Sequence, residues 1–390
     1  MNGFYFAAPK CRTILLYFRK VSTIVNLMIT YEYILNPTKA QKSLLVKNLR
    51  LTRDIYNQGL QELIDHYRST GKHLNYFSHD KQHGKTQHPD MPSWFVDTTL
   101  RRLHRSFANF FAGIKEGRKV GFPRFKSANR WHTLQFRDAV ANNIDSCYFK
   151  AGKMLGGRIR FVKHREIEGK LKFCRIVKRP SGWYLQAVCE DEPQPLPAND
   201  NAIGLDFGIT HLIADSEGNK VANPQHLKRS LRRLAKAQRR LSRRKKGSNR
   251  RRKAAKMVAR IHEKIANQRK DYLHKAARHY VNAYGTIVIE DLRPSNMVKN
   301  SHLARAISDS SWGMLRQFME DKAEKAGRLV IAVPPQYTSQ KCSSCGEIVQ
   351  KALSVRTHVC PHCGYVDCRD TNAAKNIKRA GIRPSWRDVA

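Results

Sequence analysis

A chain of 390 residues is long enough for two or three domains with real cores, and a hydrophobic content of 41% excludes a wholly disordered protein. The formal net charge of +42 calls for a polyanionic partner, with nucleic acid ahead of an anionic membrane surface. No segment approaches twenty uninterrupted apolar residues, so nothing in the sequence reads as spanning a bilayer.

Residues 1–27 are predicted to be a non-conserved N-terminal extension. The apolar run Ile14 to Phe18 is short and bracketed by Arg12 and Arg19-Lys20, unlike a signal peptide, and translation is expected to begin at Met28. Ile29 to Leu35 alternates as a strand, and Asn36-Pro37-Thr38 opens a helix. Leu44, Leu45, Leu49, Ile55, Tyr56, Leu60, Leu63 and Ile64 recur at helical spacing, giving one amphipathic helix or two joined. Residues 70–92, rich in His, Gly and Lys, read as a loop. A helix over residues 94–117 carries Leu100, Leu103, Phe107, Phe110 and Phe111 on one side; Arg101, Arg102 and Arg105 interleave with them and are candidates for nucleic-acid contact. After the turn Gly121-Phe-Pro-Arg-Phe-Lys126, short strands are predicted at 134–136, 146–150, 158–162, 171–177 and 183–189. Their spacing and turn signals suggest a small all-β barrel. Pro193-Gln-Pro195-Leu-Pro197 is a stiff linker and the main boundary.

Beyond it, Ala202-Ile-Gly-Leu-Asp-Phe-Gly208 is a buried strand ending in a turn, and Thr210 to Ala214 returns as a second strand closed by Ser216-Glu-Gly-Asn219. Residues 226–283 are a basic helical insertion, broken into a hairpin at Gly247-Ser248-Asn249, with Leu227, Leu231, Leu234, Gln238 and Leu241 as one arm's seam. No Asp or Glu occurs between Glu217 and Glu263. Solvated charged faces usually mix signs, so this run points to a polyanion. A buried strand at 286–292, a helix around 311–327, a strand at 329–333 and a last helix from near Thr371 complete the chain.

Two Cys-x-x-Cys pairs, Cys342/Cys345 and Cys360/Cys363, have the spacing of a structural four-sulfur zinc site. Such a site contributes roughly 10–16 kcal/mol of folding free energy on binding metal. Cys11, Cys147, Cys174, Cys189 and Cys368 form no disulfide framework, which suggests a reducing compartment. Three acids, Asp206, Glu290 and Asp370, sit where strands or helices begin or end. A few carboxylates on rigid elements suffice to hold Mg²⁺ for two-metal phosphodiester hydrolysis. Taken singly, Asp206 could be a turn residue, Glu290 a solvated charge and Asp370 an N-cap; Asp215, Asp291 and Asp367 are nearby acids of lower rank.

In their order along the chain, Gly204-Leu-Asp-Phe-Gly208, Ile289-Glu-Asp-Leu292, Tyr337-Thr-Ser-Gln-Lys-Cys-Ser-Ser-Cys-Gly346, Cys360-Pro-His-Cys-Gly364 and Asp370-Thr-Asn-Ala-Ala374 resemble the TnpB (OrfB) proteins of insertion sequences, relatives of type V CRISPR effector nucleases. Arg53-Asp-Ile-Tyr-Asn57, Phe110-Phe111 and Gly121-Phe-Pro-Arg-Phe-Lys126 extend the resemblance over everything after Met28. It implies an α/β plus all-β chain: an RNase H-like (RuvC) nuclease domain over 201–390 with the basic insertion 226–283 and a zinc ribbon 337–368. It further implies a β-barrel wedge-type domain over 28–37 and 121–192, carrying a helical recognition domain over 38–120, with a linker at 193–200. Asp206, Glu290 and Asp370 would be the Mg²⁺-binding catalytic triad, Cys342, Cys345, Cys360 and Cys363 the Zn²⁺ ligands, and the activity RNA-guided DNA cleavage in a prokaryotic cytoplasm. The partners would be a guide RNA from the mobile element and target double-stranded DNA. Arg124, Lys126, Arg232, Arg233, Arg239, Arg240, Arg243, Arg244, Arg251 and Arg252 are the expected nucleic-acid contacts. A DNA transposase using the same acids without RNA, and a non-catalytic RNA-binding regulator, are the competing readings.

Overall fold

A computed structural model describes residues 27–83, 91–137, 143–192, 194–352 and 355–382. The predicted extension 1–27 lies outside these residues except for Leu27. The described chain divides into two compact units at the 192/193 boundary.

In the first unit β1 (Leu27–Asn36) is followed by α1 (Lys39–Thr70), α2 (Tyr76–His83) and α3 (Ser93–Lys115). Helix α1 starts at a capping box: the Thr38 hydroxyl accepts from Gln41 N at 3.2 Å, and Gln41 Oε1 accepts from Thr38 N at 2.9 Å. With no Gly or Pro until Gly59, the apolar stripe runs on as one helix, which ends on Gly71 in the left-handed region. Helix α2 corrects the expectation of a loop over residues 70–92. It has almost no apolar stripe, because its two buried residues are histidines, and periodicity could not reveal it.

The strands β2 (Thr133–Phe136), β3 (Ile144–Asp145), β4 (Tyr148–Lys150), β5 (Arg158–Val162), β6 (Lys170–Lys178) and β7 (Trp183–Asp191) join β1 in one antiparallel sheet, ordered β2-β6-β7-β1-β5-β4-β3. The expected strand over 146–150 is confined to β4, because Ser146 takes a left-handed turn after the unpredicted β3, which pairs with β4. The expected barrel is a half-barrel. The sheet curls until the Phe136 and Phe149 rings meet at 5.1 Å, but among the described residues no ladder joins its edge strands. Strand β3 is two residues long, and Trp94 and Phe95 of α3 pack on Phe136, each ring at 5.4 Å, across the unclosed side. Helices and sheet share one core, from Leu45, Leu60 and Leu100 to Tyr33, Phe161 and Leu185.

The second unit is built on a five-stranded sheet, ordered β10-β9-β8-β11-β12. Strands β8 (Ala202–Asp206), β9 (His211–Asp215) and β10 (Lys220–Ala222) form an antiparallel meander, and β11 (Thr286–Glu290) and β12 (Leu329–Val333) run parallel to β8. Between β10 and β11 stand α4 (His226–Ser242) and α5 (Asn249–Ala283), joined at Ser248, whose hydroxyl caps α5 by accepting from Arg251 N at 3.1 Å. Leu234, Ile261 and Ile265 seal this hairpin with Leu227, Ala237 and Val258. Ala237 occupies the seam where Gln238 was expected; Gln238 is exposed. Short helices α6 (Pro294–Met297) and α7 (Ser301–Ser310) precede α8 (Trp312–Ala326). A two-stranded ribbon, β13 (Thr357–Val359) with β14 (Val366–Cys368), leads into α9 (Arg369–Ile382), which begins two residues before the expected start.

Strand periodicity assigns the two faces of the sheet. Ile203, Leu205, Ile287 and Ile289 face a core with Leu273, Ala277, Leu315 and Met319 of α5 and α8. The alternate positions, Gly204 and Asp206 on β8 and Val288 and Glu290 on β11, face α9, whose Ile377 packs with Val288. Helix α9 lies unusually close. A Cβ on Gly204 would stand 2.2 Å from Ala374 O, and one on Gly381 would stand 2.4 Å from a Val288 methyl.

Candidate active site and metal centre

The three predicted acids meet through this packing. Asp206 ends β8 and Glu290 ends β11, one step beyond the paired residues Leu205 and Ile289 of two parallel neighbours. Both point to the face that α9 covers, and Asp370 stands in the first turn of α9. Burial raises the Asp206 carboxyl to about 7, and the charges of Glu290 and Asp370 push it in the same direction. Burial also raises Glu290, against a hydrogen bond from Thr338 Oγ1 to Oε1 at 2.5 Å. Two cations border the group: Arg369 Nη2 lies 3.3 Å and Arg356 Nη1 3.7 Å from Asp370 Oδ1.

Three carboxylates that repel one another, with hard oxygen donors on rigid elements, are a donor set that a divalent cation would relieve. Their oxygens do not all fall within 4.8 Å of one another, so they do not form one tight single-ion shell. The lower-ranked acids are engaged elsewhere. Asp215 Oδ1 accepts from Glu217 N and Asn219 N in the β9–β10 turn, and its Oδ2 accepts from Tyr280 OH. Asp291 pairs with Arg316 at 2.5 Å, and Asp367 pairs with Lys375 at 2.8 Å.

Cys342, Cys345, Cys360 and Cys363 gather their four sulfurs within 4.8 Å. Each pair forms a tight knuckle: Gly346 N donates to Cys342 O at 2.9 Å and Gly364 N to Cys360 O at 3.0 Å, both glycines in the left-handed region. The Cys342–Cys363 and Cys345–Cys360 sulfurs are 3.7 and 3.6 Å apart. Zn–S bonds of about 2.3 Å in a tetrahedron require S···S edges of about 3.8 Å, so the cluster fits zinc as it stands.

The knuckle and the acids are coupled by residues that spacing alone did not single out. Asn372, fully buried, accepts from Ser343 N at 2.8 Å and donates to Lys341 O at 2.7 Å. Asn376 Nδ2 donates to Thr338 O at 2.9 Å, and Arg379 Nη2 to Ser343 O at 2.6 Å. The run Asp370-Thr-Asn-Ala-Ala374 thus has a division of labour. Asp370 faces the acids, Asn372 clamps the first knuckle, and buried Ala373 and Ala374 let the helix approach the sheet.

The expected nucleic-acid contacts separate into two groups. Arg232, Arg233, Arg239, Arg240, Arg243 and Arg252 are exposed on the α4–α5 hairpin, and among the described residues none of them pairs with an acid. Arg124 is exposed and Arg244 half-buried. Arg251 braces the hairpin turn instead, donating from Nη1 to Leu241 O and Arg244 O, each at 3.0 Å. Lys126 is half-buried beside the Tyr56 ring, and burial lowers its pKa. On α3, Arg101 is exposed but pairs with Asp97 at 2.9 Å, Arg102 is half-buried and stacks over Trp131, and Arg105 is exposed. Asp309 was missed: it accepts from Leu227 N and Lys228 N at the start of α4 and from Arg269 Nη2 at 2.8 Å, anchoring the hairpin.

A Streptomyces pristinaespiralis protein named as a candidate RNA-guided DNA endonuclease is 35% identical over 368 residues, covering 91% of this chain and 90% of its own. The chain belongs to the TnpB (OrfB) family. An Escherichia coli K12 protein with the same description is 29% identical over 90% of this chain and 92% of its own. The OrfB family described as "Probable transposase" matches residues 186–301, and the "Cas12f1-like, TNB domain" family matches 312–377, which include the cysteine knuckles and most of α9. A "Helix-turn-helix domain" family matches residues 28–72, which here form a strand and one 32-residue helix. Among solved structures, the Cas12f1–sgRNA–target DNA complex shares the fold at a TM-score of 0.57 and 15% identity, covering 87% of this chain and 82% of that one. No described helix is long and apolar enough to cross a membrane.

Proposed function

We propose that this chain is an RNA-guided DNA endonuclease whose phosphodiester hydrolysis is carried out at Asp206, Glu290 and Asp370. One observation carries the reading: two carboxylates end adjacent parallel strands on the face covered by a helix whose first turn supplies the third. The meander followed by two parallel strands, in spatial order 3-2-1-4-5, is the arrangement expected of an RNase H-like (RuvC) domain and supports it. So do the relatives named as RNA-guided DNA endonucleases.

In this reading Asp206, Glu290 and Asp370 hold Mg²⁺. Divalent ions held there would supply Lewis-acid activation of the attacking water and charge stabilisation of the leaving oxygen. Thr338 fixes the Glu290 carboxylate through its hydroxyl, and Arg369 and Arg356 hold Asp370 from the other side. The exposed hairpin arginines grip nucleic-acid backbone, while base pairing with a guide supplies sequence information that the protein itself does not read. Zn²⁺ at the four cysteines keeps the first knuckle in place for Asn372, and so holds the start of α9.

The test is to express the protein with its native flanking DNA and sequence the RNA that co-purifies. A discrete species, with a constant structured part and an end mapping beyond the element, is expected. A smear of cellular RNA would favour the transposase or the plain RNA-binding reading.

A further inference from the structure

The first unit carries a second cluster of metal-binding side chains, remote in sequence from the cysteines. His79 and His83 stand four residues apart on one face of α2, both fully buried. They are also the buried residues of that helix: Tyr76 is half-buried and Phe77 is 77% exposed. An eight-residue helix is far below the length that is stable alone, and this one has no apolar stripe to dock it. Its attachment therefore runs through these two imidazoles and through Tyr76, whose ring packs against the core and whose hydroxyl donates to Asp97 of α3.

Both imidazoles converge on one oxygen. Glu62 Oε2, on α1, lies 3.0 Å from His79 Nε2 and 2.6 Å from His83 Nδ1, and the three ligand atoms lie within 4.8 Å of one another. The far side of His79 has a partner, with Nδ1 at 2.9 Å from His104 Nε2 on α3, which holds the ring when Nδ1 carries the proton. Helix α1 makes room for the ring. A Cβ on Gly59, one turn before Glu62, would stand 3.2 Å from His79 Cε1 and 2.9 Å from a Leu100 methyl.

We propose that Glu62, His79 and His83 form a second zinc site, one that fastens α2 to α1. Two imidazoles and a carboxylate suit Zn²⁺, and His-x-x-x-His on one helical face is a spacing that presents both rings to one ion. The Glu62 side chain is 30% exposed, so the fourth position is open to water or to the second carboxylate oxygen. The role is structural: the ion adds to the attachment that Tyr76 alone gives α2 among its apolar residues. The metal-free alternative is a hydrogen-bonded His–Glu–His group of the same shape.

Zinc stoichiometry of the full-length protein, loaded with Zn²⁺ and dialysed, decides between them by elemental analysis. Two zinc ions per chain are expected for the wild type, one for Glu62→Gln and one for His83→Asn. In Co²⁺-loaded protein the thiolate charge-transfer band of the four-cysteine site should survive in both variants, showing which ion was lost. One zinc per chain in the wild type would overturn the proposal, and that measurement needs no variant to fold. Two ions in both variants would overturn it equally.

Discussion

At the scale of single residues, Asp206 illustrates how the proposed cation site would destabilise the metal-free protein. Its carboxyl lies near 7 where an exposed aspartate lies near 3.8, because burial and two neighbouring carboxylates disfavour its charge. Such a group stays protonated in the folded state after the unfolded chain has released its proton. The metal-free protein therefore loses stability as pH rises from about 4 to about 7. Added Mg²⁺ should restore it, raising the melting temperature more at pH 7.5 than at pH 5. Asp206→Asn should melt higher than the wild type without metal at pH 7.5, by about 2–4 °C per kcal/mol gained, and respond less to Mg²⁺. Equal Mg²⁺ effects at both pH values would contradict this electrostatic picture. Asn372 has the opposite character, being wholly devoted to structure. Asn372→Ala leaves Ser343 N–H without its buried partner and Lys341 C=O with only Asn376 Nδ2, at a cost of about 1–3 kcal/mol in chemical denaturation. Zinc content should be retained and cleavage slowed; unchanged stability and rate would remove Asn372 from the link between knuckle and acids.

At the scale of elements, the closeness of α9 to β8 and β11 decides whether three separated acids become one site. Gly204 and Gly381 are glycines because backbone and side chain pass where a Cβ would stand. Gly204→Ala must push α9 off the sheet, since the obstacle is the Ala374 carbonyl rather than a flexible side chain. It should cost about 1–3 kcal/mol as overpacking does, and abolish cleavage while zinc and RNA are still bound. Wild-type cleavage by this variant would show that the approach is not required. Much of this architecture was legible in the sequence. The buried runs Ala202 to Asp206 and Thr286 to Glu290, the strand Leu329 to Val333 and the break at Ser248 fell within a residue or two of their observed places. These elements announce themselves by continuous apolar runs or capping chemistry. Helix α2 did not, because its buried face is made of histidines, and the half-barrel did not, because closure depends on pairing between strands and not on their existence. The acids and cysteines were legible as positions. Their coupling through Asn372, Asn376 and Thr338 was not, since hydrogen bonds across 29 to 48 residues leave no local pattern.

Over the whole molecule the +42 charge is the dominant long-range property, and residues 228–256 of the α4–α5 hairpin carry a concentrated part of it with no acid among them. Counter-ion release makes such binding salt-dependent, with a log–log slope of about 0.7–0.9 per phosphate neutralised. Replacing Arg239, Arg240, Arg243 and Arg252 by alanine should reduce the slope for RNA binding by that amount for each phosphate no longer neutralised, with little change in sequence preference. An unchanged slope would place the RNA elsewhere. Arg251→Ala should behave differently, loosening the hairpin turn that its guanidinium braces.

The most direct test of the account is cleavage of plasmid DNA by the purified protein with its co-purified RNA, using a target that matches the RNA end and one that does not. Mg²⁺-dependent cutting of the matching plasmid, redirected when the RNA end is rewritten and lost in Asp206→Ala, is the predicted result. Cutting that persists in Asp206→Ala, or that ignores the RNA sequence, would contradict it.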